Sequence, residues 1–165
     1  GDLLLNEAFT LDEIRSAVQR EIPGIVHLAT HAVFTGNPDT SFLLTHGGRV
    51  GFDDLSDVVG MTQADGAPLD LLVLSACETA VGNDRAGLGF TGSAIRSGAR
   101  SAMGSLWPIS DTAARTLMID FYKGLNTPEL NKAEALQKAQ ATLRDSERFA
   151  HPFYWAPFTL VNDWM

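Results

Sequence analysis

His31 and Cys77 are the two residues in this chain that could act together as a base and a nucleophile, and Cys77 is the sole cysteine. A thiol attacks a carbonyl as its thiolate, and only roughly a few per cent of a free thiol is ionised at neutral pH. A nearby imidazole raises that fraction or accepts the proton, so a cysteine and a histidine opening onto one crevice form a nucleophile. Each residue alone has an ordinary explanation, since an isolated cysteine is commonly a small buried hydrophobe. Their position in the chain gives the pairing its weight. His31 directly follows the apolar run Ile25 to Thr30, and Cys77 follows Leu71 to Ser75. In open parallel sheets, reactive groups gather at the carboxyl ends of strands. If these two strands are neighbours, both side chains open onto the same crevice.

The elements that must position them follow from punctuation and periodicity. Thr10 and Glu13 have capping-box spacing ahead of a helix carrying Leu11, Ile14 and Val18, which Pro23-Gly24 ends. Phe42 to Thr45 and Arg49-Val50 flank His46-Gly47-Gly48 as a small hairpin. A short Asp-capped helix is expected over Phe52 to Val59, with a linker from Gly60 to Pro68. Leu71 to Ser75 is apolar throughout and reads as a strand covered on both faces. A helix follows around Leu88 to Ser97, and then a strand within Arg100 to Leu106. The next helix opens at Asp111, with Ala114, Leu117, Phe121 and Leu125 on one face. A second capping box, Asn131 with Glu134, begins a helix that turns Leu136, Ala139 and Leu143 inward. A last strand lies around Phe158 to Val161. Strands alternating with helices predict an α/β layer structure with a mostly parallel sheet.

Composition narrows the function classes. The chain has 165 residues, enough for one domain with a substantial core, and residues 1–165 read as that single domain. It is 45% hydrophobic and 19% charged, which argues against disorder. One cysteine excludes an internal disulfide and a cysteine-rich metal cluster. With 12 Lys and Arg against 20 Asp and Glu, no general nucleic-acid surface is expected. The longest apolar run is far too short for a membrane span, and the amino terminus lacks a signal-peptide pattern. These features predict no membrane contact and a cytoplasmic setting.

Three ordered blocks then carry a resemblance. Ala29-Thr30-His31-Ala32, Leu74-Ser75-Ala76-Cys77-Glu78-Thr79 and Ser105-Leu106-Trp107-Pro108 are similar to the signature blocks of CHAT domains. The ending His151 to Phe158 also resembles that family, and the likeness runs in order from about Val26 to Asp163. CHAT domains are caspase-like and usually associated with TPR repeats. The spacing agrees with caspases, whose histidine lies roughly 50 residues upstream of the cysteine. The resemblance implies a caspase-like three-layer sandwich, with a mostly parallel central sheet and helices on both faces. It also implies that the chain is the catalytic, C-terminal portion of a longer protein and lacks the family's first strand and helix.

As to site residues, the resemblance implies Cys77 as nucleophile and His31 as general base and later acid. The oxyanion hole would be the backbone N–H groups of Cys77 and Ala32, where many relatives have glycine. Leu106 to Asp111 resembles the separase segment whose terminal aspartate lines a pocket for a basic residue. Asp111 would do so here, with Trp107 walling a neighbouring subsite. The ordinary reading of Asp111 is the cap of its helix, which does not exclude the pocket role, and that of Trp107 is a partly buried core residue. Glu78 and Asp84 are rival acidic residues. The implied function is a cysteine endopeptidase acting on protein substrates without a cofactor or metal and regulated by a TPR region or partner. Two other readings remain: an idle interaction module on the same fold, and a nucleotide-binding domain. The latter rests on Gly87-Leu88-Gly89-Phe90-Thr91-Gly92, whose spacing fits the dinucleotide fingerprint but whose context lacks the strand that should directly precede it.

Overall fold

The computed structural model describes residues 1–63, 66–75 and 89–165. Its elements in chain order are α1 (Leu11–Arg20), β1 (Ile25–Ala29), β2 (Ala32–Val33), β3 (Phe42–Thr45), β4 (Gly48–Val50), α2 (Phe52–Gln63) and β5 (Leu71–Ser75). They continue with α3 (Gly89–Arg96), β6 (Ser101–Ser105), α4 (Asp111–Leu125), α5 (Lys132–Arg144), α6 (Pro152–Trp155) and β7 (Phe158–Asn162). Among the described residues, the central sheet has the order β1-β5-β6-β7. Strands β1, β5 and β6 are parallel, and β7 closes the sheet antiparallel to β6. A second, small antiparallel sheet has the order β2-β3-β4.

The apolar run of β5 is apolar because both of its faces are covered. Successive strand residues point to opposite sides, so Leu72 and Leu74 enter one core while Leu71 and Val73 enter the other. The first core is packed from α1, α2 and α3 through Val18, Leu55 and Phe90, with Phe90 stacked on Phe52 at 4.2 Å. The second is packed from α4 and α5 through Leu117, Phe121, Ala139 and Leu143. The expected α/β fold with helices on both faces of a mostly parallel sheet is therefore the observed one. Helices α4 and α5 approach closely at Gly124, where a Cβ would stand 2.7 Å from that of Ala135. A glycine is required there by space.

Several local expectations need correction. Helix α2 runs to Gln63, four residues into the expected linker, with Gly60 inside it. Burial of Val58, Val59 and Thr62 outweighs the modest helical cost of one glycine. The Thr62 hydroxyl donates to the Val59 carbonyl (2.7 Å) and accepts the Leu69 N–H (3.2 Å), turning the chain toward β5. The start of α2 is held by Asp54, whose carboxylate accepts the Gly51 N–H at 3.1 Å. At α1 only half of the capping box forms, with Thr10 accepting the Glu13 N–H. The box at Asn131 and Glu134 is complete. On α4 the buried line is Ala113, Leu117, Met118, Phe121 and Gly124, while Ala114 faces a groove. In the small hairpin, Gly47 at φ +71° supplies the left-handed turn residue between β3 and β4.

Candidate active site

Strands β1 and β5 are direct neighbours in parallel register, with Ala29 opposite Ser75. His31 lies two residues beyond Ala29. Cys77, the other half of the expected pair, lies two residues beyond Ser75 in the sequence and falls outside the described residues, as do Glu78, Asp84 and the first two residues of the glycine pattern. At the carboxyl end of these strands opens a groove of about 740 Å³. His31, Ser75 and Asp111 line it, and it continues along α4 past Ala114, Met118 and Tyr122. Residues 80 positions apart in the chain thus meet at one strand end, because α4 packs back over β5 after leaving β6.

The structure reassigns the cap of α4. Ser110 is the N-cap, and its hydroxyl accepts the Ala113 N–H at 3.3 Å. Asp111 is the first helical residue, so the capping role expected of it is filled by its neighbour. Its carboxylate lines the groove and makes no ion pair among the described residues. Trp107 lies elsewhere. Its indole N–H donates to the Phe153 carbonyl at 3.0 Å, and its ring stacks on Phe153 with centroids 6.4 Å apart. The half-buried Trp107 therefore belongs to a contact with α6, outside the groove that His31 and Asp111 share.

Ala32 begins β2 opposite Leu43. The Leu44 N–H donates to the His31 carbonyl at 2.9 Å, which makes His31 and Leu44 a hydrogen-bonded pair. Antiparallel ladders alternate, so Ala32 and Leu43 form the non-hydrogen-bonded pair beside it. The Ala32 N–H consequently points away from β3.

The groove also holds a polar pair, His27 with Tyr122, whose members stand 95 positions apart in the chain. The Tyr122 hydroxyl lies 3.0 Å from His27 Nδ1. Desolvation holds the imidazole below its ordinary pKa and pushes the Tyr122 hydroxyl up to about 12. At neutral pH the phenol is therefore protonated and the imidazole neutral, and the two share one hydrogen bond. His27 keeps accessible surface beside the strand edge. Because the folded pKa lies below the unfolded one, this contribution is complete above the ordinary histidine range and is lost as pH falls through it. In an NMR titration, the His27 Hε1 resonance should titrate below the ordinary value of about 6.5, and His27→Gln should flatten the fall of the unfolding midpoint under acid. Titration of His27 at or above the ordinary value would contradict this assignment.

Of the other histidines, His46 occupies the exposed β3–β4 turn and His151 caps α6 by accepting the Phe153 N–H at 3.2 Å. Among the described residues no three His, Cys, Asp or Glu side chains converge on one point. Nor is any helix among them long and apolar enough to cross a membrane.

A parallel α/β sheet covered on both faces, with a histidine at the end of one strand and a groove opening beside it, defines the class: a three-layer α/β domain with a strand-end site. The CHAT domain model matches residues 2–163, and the chain belongs to that family, which places it in the caspase-like peptidase class by fold. Two curated relatives carry the name tetratricopeptide repeat protein 28. The mouse protein is 31% identical over 94 residues, 56% of this chain, and the human protein 29% identical over 97 residues, 58% of this chain. Each alignment spans only 4% of the relative's own length.

Proposed function

We propose that this chain is a single cysteine endopeptidase domain in which Cys77 is the nucleophile and His31 its general base. The observation that carries the reading is the pairing of β1 with β5 in register, Ala29 opposite Ser75, with His31 and Ser75 lining one groove. His31 and Cys77 each follow that register pair by two residues in the sequence. In the proposed reaction the thiol proton passes to the His31 imidazole, and the thiolate sulfur bonds to the peptide carbonyl carbon. The negative charge that develops on the carbonyl oxygen is met by the N–H groups of Ala32 and Cys77. The imidazolium then returns its proton to the amine as the C–N bond breaks, leaving a thioester. Water, deprotonated by His31, hydrolyses the thioester and restores the thiol.

Asp111 would set the substrate class. It lines the same groove as His31, it is relieved of capping by Ser110, and no cation pairs with it among the described residues. An unpaired carboxylate in the groove favours a basic side chain, so cleavage after Arg or Lys is the proposed preference. Trp107, stacked on Phe153, would serve a subsite further along the substrate. The names of the two relatives suit regulation by a tetratricopeptide repeat region or partner, and a reducing cytoplasm suits a working thiolate.

A fluorogenic peptide panel with basic, acidic or apolar residues before the cut tests the specificity. Basic peptides should be preferred, and Asp111→Ala should lower their kcat/KM by about a hundredfold while leaving apolar peptides within a fewfold. Basic preference that survives Asp111→Ala removes the pocket assignment. A folded chain that cleaves nothing and takes up no thiol-directed peptide probe would instead favour an idle interaction module.

A further inference from the structure

We infer that Thr30 is a positioning residue for the His31 imidazole, an inference that rests on the Cys77–His31 reading. Among the described residues no side chain hydrogen-bonds the imidazole. The group that orients the base in many nucleophile–base pairs is therefore missing from the described part of the site. Orientation of the ring then depends on how firmly the His31 backbone is held, since the backbone aims the Cα–Cβ bond and restricts the rotamers.

That backbone is held by one residue of the small sheet. The Leu44 N–H donates to the His31 carbonyl at 2.9 Å. The Leu44 carbonyl accepts the Thr30 hydroxyl at 2.6 Å, where a regular antiparallel pair would bring it the His31 N–H. The threonine side chain thus stands in for a backbone donor at the point where the chain leaves β1 and turns into β2. Both polar groups of the Leu44 peptide are engaged by two consecutive residues, 30 and 31. This double tie joins the end of the central sheet to the small sheet and fixes the peptide that carries the imidazole. Thr30 is also β-branched, so its χ1 is restricted and the hydroxyl is held toward Leu44 at little entropic cost. Valine at this position would keep the shape and branching and remove only the hydrogen bond.

A loosened His31 no longer holds its charge beside the thiolate, so the thiol should ionise at higher pH. The sole cysteine makes this readable without any substrate, because alkylation of the whole chain by iodoacetamide reports Cys77 alone. The pH dependence of the alkylation rate should rise with an inflection below the free-thiol range in the unmodified chain. Thr30→Val should move the inflection up by about one unit, a roughly tenfold loss of thiolate below it. Thr30→Ser, which retains the hydroxyl, should track the unmodified protein, and His31→Ala should move the inflection at least as far as Thr30→Val. An unmoved inflection in Thr30→Val, beside a shifted one in His31→Ala, overturns the positioning role and leaves the dyad standing. An unmoved inflection in His31→Ala overturns the dyad and the positioning role together. A Thr30→Ser profile matching Thr30→Val also overturns it, because the hydroxyl would then not be the agent. If Thr30→Val melts below the assay temperature, Thr30→Ala measured in the cold makes the same comparison.

Discussion

Replacement of Cys77 by alanine is expected to lower peptide hydrolysis on the order of a thousandfold or more. No other thiol in the chain can take over the attack, because Cys77 has no second copy. His31→Ala should cost about a hundred- to ten-thousandfold, the range supplied by a positioned general base. The two losses should not add. Once the nucleophile is gone the base has nothing to deprotonate, so the double variant should resemble Cys77→Ala alone. The measurement is kcat/KM on whichever peptide the fluorogenic panel selects, for the two single variants and the double variant. A double variant markedly slower than both singles would mean that the residues act in separate steps. Retention of most activity in Cys77→Ala would end the proposed mechanism outright. An unchanged thermal transition in each variant should establish that the fold survives; His31 is exposed and lies outside the two packed cores of the sheet.

Phe121→Ala is expected to destabilise the domain by about 3–5 kcal/mol, through lost transfer free energy and the cavity left behind. Phe121 is fully buried in the second core, among Leu71, Val73 and Met103 of the sheet and Leu143 of α5. Cavity costs are highest where the surroundings cannot collapse, and this site is bounded by a sheet on one side and a helix on the other. For a domain of this length the shift in melting temperature should be roughly ten degrees, at about 2–4 °C per kcal/mol. Chemical denaturation read by circular dichroism measures the free energy directly. The same helix carries Asp111 at its first turn, so partial loosening of α4 should also weaken preference for basic peptides before the fold is lost. A loss below about 1 kcal/mol would contradict the packing of α4 against β5 and β6.

The two predictions draw on different parts of the molecule, and those parts were unequally legible in the sequence. The central strand β5 was plain because four successive large apolar residues have only one use in a chain of this charge: burial on both faces. The hairpin around Gly47 and the capping box at Asn131 were plain for the same kind of reason, as local stereochemistry dictates them. Helix α2 was cut short because Gly60 reads locally as a stop, while the burial that overrides it comes from β5 and α3. Asp111 was given a capping role that Ser110 performs, a choice between adjacent residues that propensity cannot make. The histidine at the end of β1 was found from its type and its place after an apolar run. The partner that ties its backbone, the Leu44 N–H on the His31 carbonyl, left no trace in the sequence pattern, nor did the Leu44 carbonyl that accepts the Thr30 hydroxyl.

By itself the sequence determined the alternation of strands and helices, the presence of a single thiol and the spacing that sets a histidine before it. These follow from periodicity, punctuation and residue type, all of which act over a few neighbouring positions. Only the tertiary structure decided that β1 lies beside β5 and that α4 folds back to bring Asp111 into the groove of His31. It alone decided that Tyr122 meets His27 and that Thr30 takes the place of a backbone donor. Strand order and helix docking depend on which apolar faces bury each other across long stretches of chain. That choice is made by the packing of the whole domain rather than by any local run of residues.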